Sequence, residues 1–485
     1  MIPCLCCCRA AARVDDGGGT SPRTWDGPPC SSFATRLPDS SPPEQRLYQW
    51  VRHYPATQGR AGLSNEHGAR PTEFGISPTR FPVRTRRPSS KPIAQRRLRK
   101  MSEVGRQTEA SVPEASRFAS FFMAGFECSS HRRKDGVRLD LIRATSHNLH
   151  ALGDYRGCAE LGLRTIRDGL RWHLIETAPG TYDWSSWAPM VEAARSAGVQ
   201  VIWDIFHYGS PDHVDQGSPH FIDAYASFAA EAVKVHRSIT GTSPLLCPIN
   251  EISFFAWAVE VGYFPRVGPN KRGWFKRHLV KAAIAGVRAM REIDPACRFV
   301  WAEPLIHIAP RDRTRSERRR AENARQGQFE AYDMLLGRVE PELGGSEDVV
   351  DVVGLNFYPH NQWYVNGPTI PMGHHEYRAL SEMLLEVAHR YGKPMFIAET
   401  GSEGSGGPAW LHYVCDEVRS AISLGAPIEG ICLYPITAYP GWDNSRHAEV
   451  GLFSVIQADG RRHLRKPTAD ELARQQALLV ADTTP

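Results

Sequence analysis

Hydrophobic residues follow a regular pattern in this chain only after about Ser120. From there, short apolar runs rich in β-branched and aromatic residues alternate with longer stretches of helical periodicity, several of which end in glycine. Such alternation is typical of a parallel sheet whose strands are buried on both faces. The apolar runs are residues 121–126, 163–172, 199–208, 245–251, 298–308, 349–358, 394–400 and 428–436.

Eight strand–helix units predict an α/β protein with a (β/α)8 TIM barrel, and we expect this catalytic domain to span residues 116–485. Neither a GxGxxG motif nor a phosphate-binding loop follows the first run, which argues against a doubly wound nucleotide-binding sheet. The chain also lacks a run of about 18 apolar residues, so we expect no membrane partner.

Residues 1–115 have a different character, because they are rich in Pro, Arg and Ser and lack any apolar periodicity. This composition predicts a disordered basic N-terminal extension. The net charge of the whole chain is +5, but the basic excess belongs to the extension, and the remainder is slightly acidic. A solvated tail, or a true start at Met101, is favoured over a nucleic-acid-binding arm, so we expect no nucleic-acid partner.

The cysteines point to a reducing compartment. Five of the eleven lie in the first 30 residues, and the other six are scattered singly. The CxxC spacing from Cys4 to Cys7 has no second pair to complete a zinc site, so we expect no metal and no other cofactor. Buried free thiols and the lack of a recognisable secretory signal predict a cytoplasmic protein.

The residues that end the eight runs are candidates for chemistry, because barrels of this kind place their active site at the C-terminal ends of the strands. Nearly every run ends in a charged, polar or aromatic side chain, which buried strands do not otherwise favour. A structural role remains an alternative for Arg171, Trp172 and Glu303. The full set is Glu127, Arg167 with Arg171 and Trp172, His207, Asn250 with Glu251, Glu303, Asn356 with Tyr358, Glu399 and Tyr434.

Two of these residues, Glu251 and Glu399, suggest a specific reaction. They end the fourth and seventh runs, which face each other across the mouth of an eight-stranded barrel. Hydrolysis of a glycosidic bond uses two carboxyl groups, and in retaining enzymes they lie about 5–5.5 Å apart. We therefore predict that Glu251 is the general acid/base and that Glu399 is the nucleophile.

Short motifs support this interpretation. PINEI and FIAETG resemble the strand-4 and strand-7 glutamate motifs of glycoside hydrolase clan A. Four further motifs make the chain most similar to family 1 of that clan, the β-glucosidase family, from about residue 120 to 475: IRDGLRW, FHYGSPD, GLNFY and HAEVGLFSV. The resemblance implies a carbohydrate substrate and hydrolysis with retention of configuration.

The resemblance also implies roles for the supporting residues. Asn250 would bind the 2-hydroxyl of the sugar, and His207 would be a further sugar contact. Arg167 and Tyr358 would keep Glu399 ionised and oriented. The like charge of Glu399 would raise the pKa of Glu251, so that the two carboxyl groups could act as base and acid.

Several positions depart from the family 1 pattern. Glu127 stands where the family usually has Gln, and Tyr208 and Tyr434 stand where it usually has Trp. The Glu-Trp pair that reads the outer hydroxyls is not recognisable, and its region holds Trp442, Asp443, Asn444 and Arg446.

These departures affect the residues that would recognise the sugar, so the sequence does not identify the sugar or its linkage. An endo-acting family 5-like glycanase and a transglycosylase are alternatives within the enzymes. A catalytically silent carbohydrate-binding barrel is the alternative from another class.

Overall fold

The eight predicted strands form one closed parallel sheet. The computed structural model describes residues 117–269, 271, 273–442 and 446–483, so the predicted N-terminal extension and its cysteine cluster lie outside the described residues. The barrel strands are β1 (Phe122–Gly125), β2 (Thr165–Gly169), β3 (Gln200–Phe206), β4 (Leu245–Ile249), β5 (Arg298–Phe299 and Glu303–Pro304), β6 (Val353–Asn356), β7 (Met395–Thr400) and β8 (Ile428–Leu433).

The barrel closes through the interrupted strand β5. β1 pairs in parallel with both β2 and β8, and the parallel pairing continues around the sheet to the two segments of β5. The first segment pairs with β4 and the second with β6. Between them, Val300 forms a parallel bridge to Val352, so the two segments belong to one strand. The predicted (β/α)8 barrel is therefore confirmed.

Helices follow the strands around the outside of the barrel. They are α1 (Leu141–Ala144), α2 (His147–Glu160), α3 (Trp172–Ile175), α4 (Ala188–Ala197), α5 (His220–Thr240), α6 (Ile252–Glu260), α7 (Trp274–Ile293), α8 (Arg315–Gln326), α9 (Glu330–Leu335), α10 (Leu380–Tyr391), α11 (Gly406–Ser423) and α12 (Lys466–Thr483). Short strand pairs lie in the loops: Glu176–Ala178 with Thr181–Tyr182, His307–Ala309 with Gln362–Tyr364, and Tyr439–Pro440 with His447–Ala448. Single 3-10 turns cover Trp184–Ser186, Pro341–Leu343 and Glu347–Val349.

Side-chain packing divides the barrel into an apolar lower part and a polar mouth. Every residue of β1, β2 and β7 is buried, although β2 contains the charged residues Arg167 and Asp168. Phe118 packs against Phe396 with ring centroids 5.2 Å apart, below the polar layer. The inner apolar cluster comprises Phe118, Met123, Ile202, Cys247, Val300, Ala302, Val352, Phe396, Ala398, Cys432 and Tyr434. The polar side chains at the mouth come from the C-terminal ends of the strands.

Two further sequence expectations concern the described part of the chain. None of its helices is long and apolar enough to cross a membrane. Its six cysteines are all buried and free of disulfides, as predicted for scattered thiols.

Candidate active site

A cavity of about 740 Å³ opens at the C-terminal mouth of the barrel. Predicted residues from six different strand ends line it together, although they are far apart in sequence. These residues are Glu127, His207, Asn250, Glu251, Tyr358, Glu399 and Tyr434, and Trp442 joins them from the loop after β8. The structure thus brings together most of the residues that the strand-end argument selected.

Glu399, near the end of β7, is held by a cation and a phenol. The guanidinium of Arg167 donates to its Oε1 at 2.6 Å, and the Tyr358 hydroxyl donates to its Oε2 at 2.8 Å. Burial raises the pKa of Glu399, and the charge of Arg167 opposes that rise. Both oxygens accept charge-stabilising hydrogen bonds, which favours the carboxylate form.

Arg167, on β2, connects several of these groups. Its Nε and Nη2 donate to the two oxygens of Asp204 at 3.0 and 2.7 Å, and Nη2 also donates to Oδ1 of Asn250 at 2.6 Å. Burial lowers the pKa of Arg167, but the carboxylates of Asp204 and Glu399 more than offset this and raise it well above its usual value. The cation is therefore permanent and fixed.

Glu251, directly after β4, has no cationic partner among the described residues. The Tyr208 hydroxyl donates to its Oε2 at 3.0 Å, and the Asn356 amide donates to its Oε1 at 2.9 Å. Burial raises the pKa of Glu251 well above its usual value, and the negative charge of Glu399 raises it further. The two glutamates thus differ in the way that an acid and a nucleophile must differ, with Glu251 able to hold a proton beside an ionised Glu399.

His207 and Asn250 link the two sides of this network. The Asn250 amide nitrogen donates to Nε2 of His207 at 3.0 Å, and Nδ1 of His207 lies 3.1 Å from Oδ2 of Asp204. Because Arg167 fixes the orientation of the Asn250 amide, Nε2 is an acceptor and Nδ1 carries the proton. His207 lines the cavity with its orientation fixed from both ring nitrogens.

Among the described residues, Cys128, Asp204 and His207 come closest to a metal-ligand set. Two observations argue against a metal there. Both oxygens of Asp204 already bind Arg167, whose charge would repel a cation. Burial also raises the pKa of the Cys128 thiol well above its usual value, which disfavours the thiolate that a metal requires. The residues present do not fit a metal.

The described positions that depart from the family 1 pattern face the cavity or adjoin it. Glu127 is 5% exposed; its Oε1 accepts the backbone N–H of Ser129 at 3.0 Å. Tyr434 packs its ring against Arg167, 5.2 Å from the guanidinium carbon to the ring centroid. Arg446 forms an ion pair with Glu403 at 2.8 Å. Asp443 and Asn444, which the sequence placed in the same region, lie outside the described residues.

Two predicted site residues lie elsewhere. Trp172 is fully buried beside the barrel, where its indole stacks on Phe228 and donates to Glu176 at 2.6 Å. Glu303 does not line the cavity, because it accepts the Ser253 backbone N–H at 3.1 Å in the first turn of α6. Burial raises the pKa of Glu303 to about 7. Both side chains therefore have structural environments, which is the alternative that the sequence leaves open for them.

Sequence reasoning missed Asp204 and the contact that Tyr208 makes with Glu251. Asp204 lies within the apolar strand β3, where it is fully buried and paired with Arg167. A carboxylate inside an apolar strand is costly to bury unless it is paired, so its presence in the run was the available signal. The Tyr208 contact had no comparable signal, since it depends on the local backbone conformation.

The buried pairs of Arg167 are expected to be essential for stability. Arg167→Met would leave Asp204 buried without its cation, and breaking a buried ion pair in this way costs about 3–5 kcal/mol. Urea unfolding should show a loss of that size. Arg195→Met is the control, since it removes an exposed pair with Glu192 that solvent screens. Equal stability of the two variants would contradict the network described above.

Neither a protein-family model nor a curated protein sequence matches the chain. Solved structures do match. The family 1 β-glucosidase from Thermotoga maritima has a TM-score of 0.60 at 13% identity, over 74% of this chain and 97% of that one. The AHE enzyme from Alicyclobacillus herbarius has a TM-score of 0.60 at 15% identity, over 77% and 100%. The β-glycosidase BGL167 has a TM-score of 0.55 at 17% identity, over 69% and 87%.

These matches define the fold more closely than the barrel alone. The described chain is a (β/α)8 barrel with paired carboxyl groups at its mouth. Its fold is that of the family 1 β-glucosidases and related β-glycosidases, as the sequence motifs predict.

Proposed function

We propose that this protein is a retaining glycoside hydrolase that cleaves a β-linked glycoside or small oligosaccharide through a covalent glycosyl-enzyme. The observation that carries the proposal is the unequal pair of glutamates that line one cavity. Glu399 is bound to a permanent cation, and Glu251 is not. This asymmetry is what a nucleophile and a proton donor need in the same site.

In the first step, Glu399 attacks the anomeric carbon and forms an ester bond to it. The bond from that carbon to the leaving oxygen breaks, and Glu251 gives its proton to that oxygen. Arg167 and Tyr358 orient the attacking carboxylate, since each holds one of its oxygens. Consequently little reorganisation is needed when the reaction begins.

In the second step, Glu251 acts as a base. It takes a proton from a water molecule, whose oxygen attacks the anomeric carbon and releases Glu399 as a carboxylate. Glu399 carries no charge while it is esterified, so its repulsion of an ionised Glu251 is absent at that stage. The pKa of Glu251 then falls, which suits the change of role from acid to base.

Carbohydrate binding has independent support. The Thermotoga maritima β-glucosidase has been crystallised with deoxynojirimycin and with castanospermine, which are sugar-like inhibitors, and both structures share this fold. The cavity described above lies at the mouth of the same barrel and carries aromatic and carboxylate side chains suited to sugar rings and hydroxyls.

The experiment that tests the proposal is a screen of nitrophenyl glycosides that includes both anomers of several sugars. We expect turnover of β-glycosides, and proton NMR of the first product should show the β configuration. An α-configured first product would refute retention. Saturable sugar binding without turnover of any glycoside would support the silent-barrel alternative, and products cut from the interior of long oligosaccharides would support the endo-acting one.

Glu127 is expected to contribute to substrate binding. Its carboxylate lines the cavity, where it can accept hydrogen bonds from sugar hydroxyls. Replacing a charged acceptor by an amide in Glu127→Gln should raise KM about tenfold, because a hydrogen bond to a charged group contributes about 1.5–3 kcal/mol. Glu303→Gln is the matched control, since that glutamate is equally buried but does not line the cavity. An unchanged KM in Glu127→Gln would exclude this contact.

A further inference from the structure

Tyr208 lies between the two halves of the catalytic network. Its hydroxyl donates to Oε2 of Glu251 at 3.0 Å and accepts from the amide nitrogen of Asn250 at 2.8 Å. The hydroxyl thus donates one hydrogen bond, to Glu251, and accepts one, from Asn250. A tyrosine that merely packed against the barrel would not need this pair of partners.

The backbone at Tyr208 is held in an unusual conformation. Its φ is 69°, in the left-handed region that aromatic residues avoid. The next residue, Gly209, is packed so closely that a Cβ would lie 2.2 Å from the carbonyl oxygen of Ser130. This close packing fixes the turn after β3 against the loop after β1. The strain is therefore maintained by the surrounding structure, and its effect is to direct the phenol at Glu251.

Aromatic neighbours immobilise the ring. Tyr208 is 2% exposed, and its ring centroid lies 5.0 Å from that of Phe255 and 5.6 Å from those of Phe264 and Trp442. A rigid ring keeps its hydroxyl at one position. Glu251 is therefore positioned by a fixed donor rather than by a mobile one.

The contacts of Tyr208 extend a continuous path of hydrogen bonds. Asn250, which donates to Tyr208, accepts from Arg167 through its other amide atom. Arg167 in turn donates to Glu399. The two glutamates of the proposed mechanism are thus joined through Arg167, Asn250 and Tyr208, in addition to their direct electrostatic repulsion.

We propose that Tyr208 is a positioning residue of the reaction, which holds the Glu251 carboxyl in place and stabilises its ionised form through the phenol O–H. This inference rests on the proposed function, because it assigns a role relative to the acid/base of that mechanism. A phenol that donates to a carboxylate favours the charged form. Tyr208 therefore favours Glu251 as the base of the second step. It also lowers the pH above which Glu251 loses its proton and can no longer act as the acid.

Other groups also face Glu251 and enter the balance. Glu399 on β7 and Glu303 on β5 disfavour its ionisation by like charge, while Asn356 on β6 favours it by donating to Oε1. Burial and the nearby carboxylates, Glu251 among them, raise the pKa of Tyr358, which follows β6. Its hydroxyl donates to Glu399 and not to Glu251. Tyr208 is thus one of two neutral donors that lower the pKa of Glu251, against burial and two negative charges that raise it.

The test is the pH profile of kcat/KM for Tyr208→Phe. Loss of the phenol donor raises the pKa of Glu251, and the alkaline limb reports the loss of the protonated acid. The limb should move to higher pH by about one unit. Tyr225→Phe is the matched control, because it removes a buried hydroxyl that donates to Pro248 on β4 without touching Glu251. That variant should leave the limb in place.

A second variant keeps the test valid if Tyr208→Phe folds poorly. Site-specific incorporation of 3-fluorotyrosine at position 208 makes the phenol a stronger donor, so the limb should move to lower pH. An unmoved limb in the folded variants, or a shift of the same size in Tyr225→Phe, would overturn the role of Tyr208. These outcomes differ from failure of the proposed function, in which the wild-type protein would turn over no glycoside.

Discussion

Glu399→Ala is expected to lower kcat at least about 10³-fold on any glycoside that the wild-type protein cleaves, because nucleophilic catalysis is lost entirely. The substitution removes the carboxylate that Arg167 and Tyr358 hold at the cavity. Steady-state kinetics on a nitrophenyl glycoside would measure the loss. Binding of the substrate should be affected much less than turnover, since the side chain acts mainly on the reacting carbon.

A control for this prediction is available in the same cavity. Glu403 lies in the loop that follows β7 and also lines the cavity, but it is paired with Arg446. Glu403→Ala should therefore cost far less activity than Glu399→Ala. Near-wild-type turnover by a folded Glu399→Ala variant would exclude this residue as the nucleophile.

Glu251→Gln is expected to show a loss that depends on the leaving group. For a poor leaving group such as an alkoxide, the rate should fall by about 10²–10⁴-fold, because general acid catalysis contributes that much. For a dinitrophenyl glycoside, the first step should stay close to the wild-type rate, since that leaving group needs no proton. Pre-steady-state measurement of dinitrophenol release would separate the two steps, and a burst should appear as the second step becomes slow.

Glu303→Gln provides the comparison for this prediction. Glu303 is buried and, like Glu251, has a raised pKa, but it contacts the first turn of α6 instead of the cavity. Its replacement should give a far weaker dependence on the leaving group, because Glu303 acts on Glu251 only through its charge. A uniform loss in Glu251→Gln across all leaving groups would contradict its role as the acid.

The sequence predicts the barrel well because strand burial determines the pattern directly. Strands β1 and β7 are buried along their whole length and appear as largely apolar runs. Strand β2 is equally buried although it contains the charged residues Arg167 and Asp168. The interruption of β5 could not be predicted in the same way. Its run, residues 298–308, is largely apolar, yet it divides into two paired segments and a separate strand, His307–Ala309, in a loop.

The candidate site was predictable as a set of strand ends but not as a set of contacts. Glu251 and Tyr208 both have positive φ values, 42° and 69°. Apolar periodicity carries no information about these conformations, although they decide where the side chains point. A register shift between β6 and β7 also pairs the backbone of Asn356 with that of Glu399. The side-chain amide of Asn356 nevertheless donates to Glu251.

The sequence could not decide between the cavity and a structural environment for Trp172 and Glu303, and for a similar reason. Trp172 ends an apolar run and Glu303 lies within one, so position along the chain does not distinguish them from cavity residues. Trp172 begins the helix α3 and turns away from the mouth, where Glu176 accepts its indole N–H. Glu303 lies within the second segment of β5 and faces α6. Only the three-dimensional direction of the side chain separates these cases.

The most direct test of the central claim is mass spectrometry of the protein after reaction with a 2-fluoro β-glycoside that carries a dinitrophenyl leaving group. The fluorine slows both steps and the good leaving group restores the first, so the covalent intermediate accumulates. We predict one added glycosyl unit on the intact protein and, after digestion, its attachment to the peptide that contains Glu399. Attachment to another residue, or turnover of this reagent without any adduct, would contradict the proposed mechanism.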